Sequence, residues 1–343
     1  MSKGKAPVFV VGCPRSGTTL LYNMLLSSGG FAVYLAESNV FNLLVPRFGD
    51  FSVRSNREKM MDAWLESKLF RASFLDAETI RRQILSGCNN GGDFLRIVMG
   101  EIARAQGVER WADNSPEELL FVQTIKKCLP DALFIHMIRD GRDVSLSLDA
   151  RPYAWIRPFF WDRKDKLAVT GIFWEWMVQR GRQLGRGLGG DYMEVRFEDL
   201  QADAPRTLAK IGRFIQHDLD YEHILRVGIG SVREPNTSFK GDQGSPVGRW
   251  KKKTTPEKLA LFEALVGPTL KEFGYPLAAS GKSASSLKAF RLRAFYRAYF
   301  SAKFWFKNSA LGRAYLGPMS GLQIDNTAIG VDPAREPVGA SQR

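Results

Sequence analysis

Cysteine and histidine are scarce in this chain, three residues of each in 343. Cys13, Cys88 and Cys128 form no CxxC pair and leave one thiol over, so neither a disulfide framework nor a zinc site is expected. No apolar run reaches the length of a membrane-spanning helix. A strand that starts at Val8 leaves no room ahead of it for a signal peptide, and the expected location is cytoplasmic. Acidic residues are outnumbered, 36 against 49 Lys and Arg, for a net charge of +13. Residues 281–343 hold +7 of that excess, and no groove-reading motif accompanies it, which argues against a nucleic-acid partner. What remains, 44% hydrophobic and 25% charged, is enough to bury a full core.

One further absence carries the functional argument. The stretch VFVVGCPRSGTTLL, residues 8–21, has the layout of a phosphate-binding loop without its lysine. Val8–Val11 is a short β-branched run, the pattern of a buried strand. Gly12 and Pro14 interrupt it, and an apolar spacing (Leu20, Leu21, Met24, Leu25) then predicts a helix from Thr18. The first amides of a helix have no partner within it, and its dipole is positive there. Ser16, Gly17, Thr18 and Thr19 therefore bring N–H groups and three hydroxyls to a site for phosphate or sulfate. In a nucleotide loop of the form GxxxxGK[ST] the lysine position here is Thr18, and the loop cation is Arg15. That substitution weakens a kinase reading, since the lysine serves the β and γ phosphates.

Strand and helix patterns alternate along the rest of the chain. Strands are expected at 30–38, 109–116, 132–140 and 192–200, with helical spacing between 41 and 107. The fold class expected is α/β: a P-loop-like three-layer fold, a central parallel sheet flanked by helices, plus a helical insertion at 41–107 that covers the site. The domain spans 1–280, followed by a basic aromatic helix within 281–317 and a Gly, Pro and polar tail from 318 expected to be disordered. In 286–307 the spacing puts Leu287, Phe290, Ala294, Ala298, Ala302 and Trp305 on one helical face. That face is expected to dock on the protein itself, with peripheral membrane contact or a second subunit as alternatives.

At the exit of the 132–140 strand, HMIRDGRDVSLSL places Arg139 on the ligand side of a parallel sheet and Ser147 two turns into the next helix. The two can grip a second anion; solvated ion pairs among Arg139, Asp140, Arg142 and Asp143 are the plainer alternative.

Together, CPRSGTTL (13–20) and IRDGRDVSLS (138–147) resemble the sulfotransferases that use 3′-phosphoadenosine 5′-phosphosulfate (PAPS). VRFEDL (195–200) is similar to that family's RYEDL, and VGRWKK (247–252) to its late GRW element. The resemblance spans about residues 7–276 and implies PAPS as co-substrate with no bound metal. It implies that Arg15, Ser16, Gly17, Thr18 and Thr19 hold the 5′-phosphosulfate and that Arg139 and Ser147 hold the 3′-phosphate, with Arg249 of the GRW element beside them. It also implies in-line transfer of a sulfuryl group to an acceptor hydroxyl or amine. Arg15 would stabilise the leaving phosphate oxygen, and Glu37 would be the general base. A glycan or lipid-linked acceptor is expected. Two departures stand out. Asn114 occupies the position of a family lysine, leaving Arg249 or Lys251 to supply the missing charge, and Phe197 replaces a tyrosine. A P-loop small-molecule kinase and a non-catalytic nucleotide-binding relative are the alternatives.

Overall fold

The computed structural model describes residues 3–150, 156, 159–233, 245–278 and 286–316. Its centre is a parallel sheet of four strands in the order β2-β1-β3-β4. These are β1 (Val8–Gly12), β2 (Ala112–Asp113), β3 (Leu133–Ile138) and β4 (Tyr192–Arg196). Every residue of β1 and β3 is buried, as the continuous apolar runs require of central parallel strands. Successive side chains go to opposite layers. Phe9, Val11 and Phe134 pack into one core, and Val8, Val10, Ile135 and Met137 into another.

The main helices that frame the site are α1 (Thr18–Ser27), α2 (Gly141–Asp149), α3 (Lys166–Arg186), α4 (Pro256–Glu272) and α5 (Ser286–Asn308). Each crossover between parallel strands needs such a segment, and both sheet faces are covered by them. Between α1 and β2 the chain is helical, including Arg54–Leu65, Ala77–Gly87 and Gly91–Ala105. Trp64, Phe94 and Met99 from these helices share one core with Phe9 and Phe134 of the sheet.

The expected strands differ in extent. Segment 30–38 is no strand: it makes a single bridge, Phe31 to Arg110. Beyond it the Gln106 side chain takes the place of a strand neighbour, accepting from Val33 N at 2.7 Å and donating to Val33 O at 3.0 Å. With its main-chain groups met by a side-chain amide, the segment has no ladder to extend. The 109–116 strand shortens to Ala112–Asp113 beside β1. The last strand ends at Arg196, because Phe197–Ala202 is already helical. The tail from 318 lies outside the described residues.

Candidate active site

The loop between β1 and α1 forms at the C-terminal edge of the sheet. Arg15 adopts a left-handed backbone (φ 75°), and so does Gly17 (φ 91°). A non-glycine residue held there costs on the order of 1 kcal/mol and clusters at functional sites. Gly17 precedes α1 and supplies no side-chain cap to its first amides. A Cβ on Gly17 would lie 2.3 Å from the Phe197 ring, so the loop needs glycine for space as well as for φ.

The second motif meets this loop directly. Arg15 Nε donates to Ser147 Oγ at 3.0 Å, and Arg139 Nη1 donates to the Arg15 carbonyl at 3.1 Å. Arg139 Nη2 donates to Pro246 O at 2.5 Å, and its guanidinium lies 4.4 Å over the Phe197 ring. The two segments read separately from the sequence are therefore in contact. Phe197 is wedged between Gly17 and Arg139. Arg139 is 4% exposed, and burial lowers its pKa against the raising influence of Asp143 and Glu198. The charge of Arg249 also acts on Arg139, which places a second cation beside it.

Supporting groups hold these elements in register. Asp143 accepts from Gly248 N (2.7 Å) and Trp250 N (3.0 Å), tying the GRW element to α2. Glu198 of VRFEDL accepts from Asp140 N at 2.9 Å. Arg142 is structural: it pairs with Asp140 and with Glu263 of α4, each at 2.7 Å, in a fully enclosed network. Lys251 is exposed beside Trp250 and takes no place among these groups.

Glu37 reaches the site without a strand beneath it. Ser38 N donates to Asp113 Oδ1 (3.3 Å) and Asn39 N to Ser115 Oγ (3.1 Å), which pins the segment across the end of β2. Burial, reinforced by the charges of Glu117 and Asp113, pushes the Glu37 carboxyl up to about 8, while Asn39 and Arg15 pull it down. Arg15 is thus within electrostatic reach of Glu37 as well as bonded to Ser147. Burial also pushes Asp113 up to about 6 and holds Glu118 well above the usual carboxylate range. This carboxylate cluster was missed from the sequence. Its only signal was DNSPEE at 113–118, which reads as a capped turn.

Asn114 is fully buried and donates to Thr19 Oγ1 across a long 3.5 Å, so the residue at the lysine position does touch the start of α1. Ser16 Oγ, Asn114 Oδ1 and Arg139 Nε, in and around the loop, are buried and meet no hydrogen-bond partner among the described residues. Buried polar groups are nearly always satisfied, and those left over at an enclosed site point to a ligand or solvent. Beside Glu117 lies a shallow surface depression lined by Phe121, Phe173, Trp176, Phe304 and Lys307 among others. The histidines lie elsewhere. His136 is buried in β3 against the Tyr192 hydroxyl, and burial lowers its pKa to about 4. His217 bonds Ser28 at 3.1 Å, and His223 contacts Arg226 at the surface.

Residues 7–221, well over half of the chain, match the model of the Sulfotransferase family. The chain belongs to the sulfotransferase family. Similar solved structures include the sulfotransferase domain of the Synechococcus PCC 7002 olefin synthase, at 16% identity, TM-score 0.45, 84% of this chain and 94% of that one. A sulfotransferase domain from the curacin biosynthetic pathway shows 14% identity, TM-score 0.44, and coverage of 84% and 96%. Sulfotransferase STF9 from Mycobacterium avium shows 14% identity, TM-score 0.43, and coverage of 80% and 78%. No curated protein matches the chain. The family match leaves the kinase alternative without support beyond a shared fold. No helix among the described residues is long and apolar enough to cross a membrane.

Proposed function

We propose that this sulfotransferase uses PAPS and delivers its sulfuryl group to an acceptor hydroxyl, with Glu37 as general base. The observation that carries the reading is the Arg15–Ser147 contact, which makes one binding surface of two motifs 132 residues apart. The unpartnered Ser16 Oγ and Arg139 Nε fit a ligand with an anion at each end. Ser16, Gly17, Thr18 and Thr19 would hold the 5′ end, and Arg139, Ser147 and Arg249 the 3′-phosphate.

PAPS, when bound, supplies an activated sulfuryl group on a phosphate leaving group. Arg15 and the first amides of α1 would stabilise the oxygen where negative charge grows, and preorganised donors of this kind are commonly a large part of catalysis. Asn114 presents a neutral donor where many relatives have a cation, so Arg15 bears more of that stabilisation. Glu37 takes the proton of the acceptor hydroxyl. Its raised pKa makes it a strong base once ionised and leaves it largely protonated at neutral pH. The aromatic side chains beside Glu117 suit an acceptor hydroxyl attached to a sugar ring or an apolar body.

Calorimetry with 3′,5′-bisphosphoadenosine, without metal, tests the reading. Binding should weaken about a hundredfold in both Arg15→Ala and Arg139→Ala, the scale for losing a buried charge-assisted contact. Binding of ATP with Mg²⁺ in its place would overturn it. Tight nucleotide binding with no sulfuryl transfer to any hydroxyl acceptor would leave a binding protein instead of an enzyme.

A further inference from the structure

Helix α5 is apolar on two sides, and among the described residues only one of them packs on the protein. The inner side is anchored firmly. Tyr296 and Phe300 are fully buried, and the Tyr296 hydroxyl donates to Asp162 at 2.8 Å. Arg293 and Arg297 both pair with Glu175 of α3, a carboxylate with no exposed surface. Trp176 Nε1 donates to Ser301 Oγ at 3.0 Å, and Phe304 packs 5.3 Å from Phe121.

The apolar face expected to dock on the protein is the other one. Leu287 is 57% exposed, Phe290 67% and Trp305 63%, with Ala294 and Ala298 exposed between them. Phe295, at 43%, flanks this stripe, and Leu311 and Tyr315 of the next helix, Ala310–Leu316, are exposed as well, at 66% and 82%. More than half of the large exposed apolar side chains of the described residues thus fall within 286–316. Scattered apolar residues need no explanation, but a contiguous stripe marks an interaction surface.

Charge decides what the stripe meets. Residues 286–316 contain no Asp or Glu, and Arg291 lies exposed within the stripe, while Lys288 at its border pairs with Asp165 at 3.4 Å. Phe, Trp and Leu interleaved with cations and no acids is the composition of a helix lying in a lipid headgroup layer. A second copy of the chain is a poor occupant. A two-fold contact would set Arg291 against the same cation of the other copy, on a protein already at +13.

We propose that the outward face of α5 and the helix after it docks on an anionic phospholipid surface, with Leu287, Phe290 and Trp305 entering the headgroup region and Arg291 pairing with lipid phosphates. The inner face keeps the helix fixed to α3, so the catalytic domain is held at a set orientation to the membrane. This proposal stands independently of the sulfuryl donor.

The test is flotation of the full chain with vesicles of phosphatidylcholine alone and of phosphatidylcholine mixed with phosphatidylglycerol. Binding to the mixed vesicles, reduced by salt, is expected, with little binding to the neutral ones. The pair Phe290→Ser and Trp305→Ser should weaken it at least tenfold while leaving circular dichroism and Tm unchanged, since both side chains are mostly exposed. Arg291→Glu should weaken it on anionic vesicles specifically. Equal flotation of the double variant would overturn the proposal. So would absence of binding to mixed vesicles, or a dimer in light scattering that the same variants dissolve.

Discussion

Arg15 Nε and Ser147 Oγ lie 3.0 Å apart, joining the loop after β1 to a helix that begins at Gly141. The bond is made by a residue held at positive φ, so the backbone strain at Arg15 is offset by a contact that only the folded chain provides. Ser147→Ala should weaken 3′,5′-bisphosphoadenosine binding about tenfold, the cost of one hydrogen bond to a charged group. In the double variant with Arg15→Ala the losses should fall short of additive, because each partner acts partly through the other. A calorimetric double-mutant cycle with additive losses would separate the two residues again.

Glu37→Gln should lower turnover by roughly two to four orders of magnitude while nucleotide affinity stays within about twofold. The wild-type profile of kcat/KM against pH should rise through about 8, since the base must lose its proton and burial holds that proton on. A profile flat from pH 6 to about 9 would remove Glu37 from the role.

The same shift has a stability consequence. The folded Glu37 carboxyl binds its proton up to about pH 8, against 4.5 for an unperturbed glutamate. The folded state therefore holds more protons than the unfolded one between these values. Its stabilising contribution is complete below 4.5 and is lost as pH rises through about 8. Glu37→Gln removes this dependence and should gain stability relative to wild type as pH is raised from 5 to 9, in urea denaturation at the two values.

Gly17→Ala should destabilise the protein by about 2 kcal/mol and abolish nucleotide binding, because the new Cβ meets the Phe197 ring at 2.3 Å in a left-handed conformation. Relief by a second change, Phe197→Ala, would recover part of the stability. Recovery of binding would remain incomplete, since Arg139 loses the ring beneath it.

Asn114→Lys would place a cation near Asp113 and the start of α1. The rising limb of the pH profile should then move below 8, as a positive charge favours the ionised form of Glu37. An unmoved limb would show that the charge does not reach this carboxylate.

Sequence order alone settled a great deal here. The strand, tight loop and helix of 8–27, the buried run at 133–138, and the Arg139 and Ser147 spacing are local patterns, set by periodicity and by where glycine sits. Three features were decided only in the tertiary structure. Segment 30–38 has strand-forming residues, but the Gln106 amide claims its main-chain groups. The carboxylates at 37, 113, 117 and 118 are distant or solvated in the linear chain, and only shared burial makes them act on one another. Helix α5 carries apolar side chains on two sides, so periodicity could not say which side would be inward. Glu175 made that choice: a buried carboxylate must be paired, and Arg293 and Arg297 pair with it while Leu287 and Trp305 stay exposed.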